Sequence, residues 1–557
     1  MSRFPRITVL AVWLAFDCGG LITVSSQSPP QGDSCVVDLV VLDKRGNRLT
    51  DVDKRDLRIE EDGVAQTIAS VQKGTPRANE SSTSIRPPAD AEGSESDIYT
   101  NIALSSTNEH EQTILLVDLL NTPRTERNFV LDRLATLLQA PNIAAQHLTI
   151  YGLAEDLNLL QDHLSSPQTL LAAMSLIKKH ASESSVSLAD ETGTTVPAPT
   201  PLREGLVEFL ASVKEFAGFS QEPPLQDRRW ITLTALKTIA RAAEGIGGRK
   251  SLIWFSSDFP CTTATVLGSG IYSCAGDQPD FRAVFQSLQE ARLSIYPVNP
   301  SNMKDRNENK RSVLALERSP SGTPGIMANL PSTFAGDLAS RDMAMQQLAD
   351  TTGGRNLKGS SLVDAVQIAG DDNNQFLEIR IVSTRSDKGL HTISANSTRR
   401  GSTTLYRHIY FGEEGRQATE SPEAIHEEIL GALGDRFQAT GVVLAARQQA
   451  QKSGVELFID PRSLSLERRQ DGNFEVEFDV ATATLSPSYR ILTGNTNRIS
   501  KVLTSEELQN ARRAGLMLRL GYAPHQHAQR VRALVRDAHS GRLGSIDIPL
   551  QCCNVLR

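Results

Sequence analysis

The stretch TILLVDLLNTPRTE, residues 113–126, decides how the middle of this chain folds. A run of large apolar residues ends in Asp118, and a short polar turn follows. Such a run, bounded by turn residues, reads as a buried strand whose carboxyl end is Asp118. The next residues, ERNFVLDRLATLLQA, place apolar side chains at helical spacing, and HLTIYGLA is a second apolar strand. Strand, helix and strand in succession predict a parallel pair.

The alternation continues outward from that unit. A helix is expected at PQTLLAAMSLI, then a Ser, Thr and Pro-rich insertion near 181–200, then helices across LREGLVEFLASVKEF and TLTALKTIARAAEGI. The strands SLIWFSS and LSIYPVN follow, separated by a loop bounded by cysteines and by the helix FRAVFQSLQEAR. MAMQQLADTTGG closes with the glycines expected beyond a helix C-terminus. Residues 111–370 therefore read as a central open, mostly parallel, Rossmann-like sheet covered on both faces. Residues 33–75 read as a small β-rich module punctuated by the turn signals KRGN and EDG, and 76–110 as a flexible linker dense in Ser, Pro, Glu and Ala. FLEIRIVS, LHTISANS and TLYRHIYF make 371–415 a β extension. Residues 422–557 open with a helical connector, SPEAIHEEILGAL. They continue through VELFIDP, FEVEFDVATA, GLMLRLGYAP, RVRALVRD and GRLGSIDIPL, whose period-2 alternation predicts a C-terminal β-sandwich. The expected class is thus multidomain α/β plus β.

A chain of 557 residues exceeds what one core needs, which predicts several domains. Its 58 basic and 65 acidic residues give a formal net charge of -7, so no global attraction draws it to nucleic acid or to anionic lipid. With 39% hydrophobic and 22% charged residues it is ordinary globular material, and 5% aromatics leave little for stacking platforms. Arg3 and Arg6 precede an apolar segment at 7–16 and then small and polar residues, the layout of a signal peptide over 1–26. That segment is too short to span a bilayer, and no later one reaches the roughly 20 apolar residues a transmembrane helix requires. The expected location is secreted, periplasmic or cell-envelope. In an oxidising space Cys261 and Cys274, which bracket CTTATVLGSGIYSC, are the expected disulfide; Cys18 leaves with the leader, and Cys35, Cys552 and Cys553 stay unassigned.

In an open α/β sheet ligands bind at the carboxyl ends of the strands. Asp118 is there, with Asp258 after SLIWFSS and Asn299 after LSIYPV. Oxygen ligands on neighbouring loops suit a hard cation such as Mg2+, although the same residue types also cap helices and end strands in water. Other motifs lead nowhere catalytic. EGIGGRKS departs from a phosphate loop at Arg249 and leads into a strand, which fits a helix C-terminal turn, and neither HExxH nor GxSxG occurs. The HQH at 525–527 reads as a surface turn, and AGDD at 369–372 and EEDG at 60–63 as solvated corners.

The central region resembles a von Willebrand factor A domain, and the chain resembles the bacterial, acidobacterial-type VWFA-related family. The likeness is carried by VVDLVVLDKRGNRLTDVDKRDLRIEEDGVAQTI, ILLVDLLNTP, TLTALKTIARAAEGIGGRKSLIWFSSDFP, LSIYPVN, LADTTGGR and VRALVRDAHSGRLGSIDIPL. It implies a metal-ion-dependent adhesion site, DxSxS with a later threonine and aspartate. On this sequence Asp118 takes the first position, Leu120 the second and Thr122 the third; Thr232 supplies the later threonine and Asp258, one residue displaced, the later aspartate. Leu120 cannot ligate a metal, so the motif is degenerate, and Asn121 offers an amide oxygen beside it. The resemblance implies an exported, non-catalytic adhesion protein that recognises a protein or glycan with the help of Mg2+ or Ca2+. The competing expectation is a structural or assembly component of the envelope whose A-like region is a metal-free scaffold.

Overall fold

The computed structural model describes residues 34–74, 98–102, 113–141, 143, 148–162, 168, 170–171, 209, 223–260, 279–303, 332–382, 390–411, 421–448 and 454–550. The leader at 1–26, most of the 76–110 linker, the 181–200 insertion, and Cys18, Cys261, Cys274, Cys552 and Cys553 lie outside the described residues. The expected disulfide therefore does too.

The chain opens with β1 (Ser34–Leu42), β2 (Leu57–Glu61), β3 (Val64–Ala65) and β4 (Thr67–Lys73), and reaches the short β5 (Ile98–Thr100). The opening stretch forms β6 (Thr113–Asp118) and α1 (Arg124–Leu138), followed by β7 (Thr149–Leu153) and β8 (Leu157–Gln161). Then come α2 (Leu225–Ala243), β9 (Lys250–Phe255), α3 (Pro279–Glu290), β10 (Leu293–Val298), α4 (Ser332–Thr352) and α5 (Leu362–Asn374). Strands β6, β9 and β10 are buried at every residue, as expected of apolar runs covered on both faces. Gly353, at the end of α4, has φ +83°, the left-handed conformation that closes helices and that glycine adopts without strain.

The expectation of an architecture built on a central, mostly parallel Rossmann-like sheet is corrected by the pairing. Of the seventeen strand pairings described, three are parallel: β10 with β9, β9 with β6, and β6 with β7. They share one mixed sheet of order β10-β9-β6-β7-β8, and the other four sheets are antiparallel throughout. The reason is loop length. β8 follows β7 after three residues, so it must fold back antiparallel, because a parallel return needs a crossover of a dozen residues or more.

The stretch 33–75 and the stretch 371–415 interleave. β11 (Leu377–Val382) inserts between β1 and β4, and β13 (Thr403–Leu405) pairs with the far end of β1. β12 (Leu390–Ser397) joins β2 to β14 (Ile409–Phe411), and one core of Leu39, Ile59, Ile379 and Ile393 fills the space between the sheets. Beyond α6 (Pro422–Gly434), β15 (Leu444–Gln448) and β16 (Gly454–Ile459) form a sheet with β5, from inside the expected linker, and with β20 (Leu516–Gly521). The facing sheet contains β17 (Glu467–Arg468), β18 (Phe474–Leu485), β19 (Ile491–Leu503), β21 (Arg530–Asp537) and β22 (Leu543–Pro549). The helix α7 (Ser505–Ala514) closes one side behind a capping box formed by Thr504 and Glu507.

Two corners expected to face water are buried. Asp372, in AGDD, is wholly enclosed: its carboxylate accepts from Arg48 Nε at 2.9 Å and Tyr296 Oη at 3.0 Å, and Arg355 completes the cluster. Glu61, in EEDG, is buried beneath Tyr410, whose hydroxyl donates to it. Arg48 and Tyr410 lie more than 300 residues from the acids they meet, beyond the reach of local composition. No helix among the described residues is long and apolar enough to cross a membrane.

Candidate functional site

β6 delivers Asp118 to the carboxyl edge of the mixed sheet, and the next turn folds over it. The amides of Leu119 and Leu120 both donate to Leu153 O, at 2.9 and 3.2 Å, which keeps the chain against the end of β7. Both leucines turn into the core. The second position of the adhesion motif is thus packed apolar volume. Asn121 donates its backbone amide to Asp118 Oδ1 at 2.9 Å and its side-chain amide to Oδ2 at 2.8 Å, a local loop of the kind that Asx residues favour. Thr122 Oγ1 donates to Asp118 O at 2.5 Å.

The neighbouring strand supplies the rest. Trp254 Nε1 at 3.0 Å and Ser256 Oγ at 2.9 Å, from β9 and the residues just past it, both donate to Asp118 Oδ2. Thr232 comes from α2: its hydroxyl accepts from Asn121 Nδ2 at 2.8 Å and donates to Arg228 O at 2.7 Å. Asp258 joins through its backbone: its carbonyl lies 2.9 Å from Ser256 Oγ, a second acceptor for the single hydroxyl proton that also faces Asp118. The structure therefore joins Asp118, Asn121 and Thr232 side chain to side chain, with Thr122 bonded to the Asp118 backbone and Asp258 at their margin.

Asp118 is fully buried among neutral donors, and burial pushes its carboxyl above the usual carboxylate range against the pull of the bonds from Asn121, Ser256 and Trp254. Asn121 Oδ1 is buried with no hydrogen-bond partner, which fixes the amide's orientation, since a flip would turn an oxygen toward the carboxylate.

These residues do not fit a resident Mg2+ or Ca2+. Either ion needs six or more accessible oxygens, several of them commonly from water. Here the hydroxyls of Thr122 and Thr232 and both oxygens of Asp118 are already engaged, and all three side chains are sealed from solvent. Among the described residues no group of three or more His, Cys, Asp and Glu side chains is arranged to hold a metal ion.

Sequence reasoning passed over Glu126 and Trp230. Glu126, in the first turn of α1, accepts from Ser257 Oγ at 2.7 Å and from Ser301 Oγ at 2.8 Å, tying together the loops that follow β6, β9 and β10. Asn299, expected at this edge, is there: it accepts from the Ser301 amide at 2.8 Å and leans on Ser257 O at 3.4 Å. Trp230 lies on α2 two residues before Thr232 and is 68% exposed. Beneath it the helix is fixed. Arg229 stacks at 4.6 Å on Phe281, which meets Phe259 edge to face, and Phe259 meets Trp254 in the same way. The local signal for Glu126 was its place in the turn after β6; Trp230, inside α2, had none.

No family model matches the chain, and no curated protein matches it. Among solved structures, the endonuclease/exonuclease/phosphatase from Beutenbergia cavernae DSM 12333 is similar at 11% identity with a TM-score of 0.12, covering 33% of this chain and 39% of that one.

Proposed function

We propose that this is an exported, non-catalytic binding protein that docks a protein partner at the carboxyl edge of the mixed sheet, with Trp230 as the anchor. The observation that carries the reading is the contrast within half a turn of α2. Trp230 is mostly in water, while Thr232 is sealed and hydrogen-bonded to the Asp118 network. A large aromatic held out from a stiff base suits a binding hot spot, since it is ordered before its partner arrives. The VWFA-like stretches of the sequence support the same class of activity, and the signal-peptide layout supports export.

The closed bonding of Asp118 gives this recognition no need of a cation, so binding works by shape and apolar contact. The same closure favours a second reading, an envelope component in which this edge is scaffold alone. A pull-down from envelope extract separates the two, using the wild-type chain and Trp230→Ala, each with and without chelator. The expected result is a partner retained by wild type in both buffers and lost with Trp230→Ala. Equal retention by both proteins would refute docking at Trp230.

A further inference from the structure

The geometry points to a second ligand site far along the chain from Asp118: a pocket that takes an oxyanion, a phosphate or sulfate ester borne on a hydroxylated, sugar-sized body. It lies between the turn joining β18 to β19 and the loop joining β20 to β21. The pocket is about 620 Å3 and is lined by Ser486, Ser488, Arg490, His525 and His527, with Ile491 and Leu492 as its apolar wall. Its lining thus supplies one guanidinium, two imidazoles and two hydroxyls, and no carboxylate.

Three independent features support the assignment. The first is charge. In a chain of formal net charge -7, residues 480–505 and 508–536 contain no Asp or Glu, and they supply the whole lining of the pocket. Four of the eight arginines of these stretches are neutralised from elsewhere: Arg498 by Asp479, Arg519 by Glu456, Arg532 by Asp547 and Arg536 by Glu428. Arg490 is exposed, and it has no such ion pair among the described residues. A cation without a counter-ion beside two imidazoles attracts an anion that can accept several hydrogen bonds at once.

The second is a strained turn that sets the lining. Tyr489 has φ +61°, a left-handed conformation that is uncommon for an aromatic residue. It is held there by its amide on Ser486 O at 3.1 Å and by its ring, which lies 4.1 Å from the Arg530 guanidinium. Arg490 follows it, with its own amide bonded to Ser486 Oγ at 3.1 Å and Ser488 Oγ 3.1 Å from that same oxygen. On the facing loop, the His527 amide donates to His525 Nδ1 at 3.2 Å, which fixes one ring against its neighbour's backbone.

The third is what adjoins the pocket. Further along β19 lies a second hollow of about 400 Å3, lined by Thr482, Thr493, Gly494, Asn495, Gly521, Tyr522 and Ala523. The Thr482 and Thr493 hydroxyls are bonded to Gly521 O and Ala523 O, which leaves the Asn495 amide and Tyr522 to meet a body rich in hydroxyl groups, with its charged ester toward Arg490.

The test is calorimetric titration of the full chain with glucose 6-phosphate, glucose 6-sulfate, glucose and inorganic phosphate. The variants are Arg490→Ala, His525→Ala/His527→Ala and Asn495→Ala, each checked for folding by circular dichroism. The expected result is saturable binding of one or both esters, with the phosphate and sulfate arms showing which the pocket prefers. Affinity should fall about tenfold in Arg490→Ala, the loss of one charge-assisted hydrogen bond, and less in Asn495→Ala. Equal affinity for glucose and its esters, unchanged affinity in Arg490→Ala, or no saturable heat with any ester would overturn the assignment. Inorganic phosphate binding as tightly as glucose 6-phosphate would overturn the adjoining sugar-sized part.

Discussion

At the amino end of the mixed sheet Asp372 meets Arg48 and Arg355, and Arg249 donates to Asn373, Tyr296 Oη and Gly353 O. At the carboxyl end Asp118 meets an amide, an indole and a hydroxyl. Both ends bury an acid, but only the first balances it with charge. The partners differ in origin as well. Arg48 comes from the N-terminal β strands, so the Asp372 cluster fastens that body to the sheet, while the groups around Asp118 all belong to the sheet's own strands, turns and helix. The first arrangement is a joint between parts of the molecule. The second stiffens one edge and leaves its outer surface, Trp230 included, available for contact.

The largest effect should come from breaking the joint. Asp372→Ala would leave Arg48 and Arg355 facing a hole in the last turn of α5, where the helix dipole already disfavours negative charge and the arginines offset it. Removing one partner of a buried ion pair costs about 3–5 kcal/mol. Urea denaturation should show that loss, with a smaller one for Asp372→Asn, which keeps an acceptor. A loss below about 1 kcal/mol would mean the joint is not where the two bodies are held.

At the other end Asp118→Ala orphans the Asn121 backbone amide and Trp254 Nε1, while Ser256 Oγ keeps Asp258 O and the Asn121 side chain keeps Thr232, and the expected cost is about 2–3 kcal/mol because the donors are neutral. The pH dependence has a definite sign. Burial holds the folded-state pKa of Asp118 above its unfolded value, so the folded chain binds the extra proton between the two. Its contribution is fully present below the unfolded pKa and is lost as pH rises through the folded one. Asp118→Asn should remove that slope from a plot of stability against pH. An unchanged slope would show that Asp118 ionises as freely as a surface carboxylate.

How much of this contrast was legible beforehand follows from the range of the interactions. The strand ending at Asp118 and the turn of Leu120 away from any ligand role were readable, because apolar runs and local turns are written within a few residues. Thr232 was reached through resemblance, and it does meet Asn121. The antiparallel return of β8 was missed because DLNLLQ is short and lies inside an α/β pattern. β19 was missed because its sequence, ILTGNTNRISKVL, is polar along its length and its side chains are mostly exposed. The burial of Asp372 could not be read at all, since Arg48 lies 324 residues away.

Lys250 sharpens the amino-end picture. It starts β9, is buried, and donates to Ile246 O and Gly248 O just past the end of α2. Desolvation, with Arg292 nearby, lowers its pKa to about 7. In the unfolded chain the amine titrates near its ordinary value of about 10.4, so between these values the unfolded chain holds a proton the folded one has released. Stability should therefore climb as pH rises above 7, by about 1 kcal/mol over the first unit, and Lys250→Met should flatten the climb. A wild-type slope of zero there, or one that the variant keeps, would place the titration elsewhere.

The smallest effect on stability belongs to the residue given the largest role in recognition. Trp230 is mostly in water, so Trp230→Ala removes little that folding buries, and its unfolding free energy from urea denaturation should stay within about 0.5 kcal/mol of wild type. The neighbouring Thr232→Val deletes a hydroxyl sealed between Asn121 and Arg228 and should cost about 1 kcal/mol or more. If the edge is a stiff base carrying an exposed anchor, the first change abolishes partner retention at constant stability, and the second weakens stability while sparing retention at temperatures where the chain is folded. Should Trp230→Ala instead destabilise the chain as much as Thr232→Val does, Trp230 would belong to the fold, and the division between a supporting base and a contact surface at this edge would not hold.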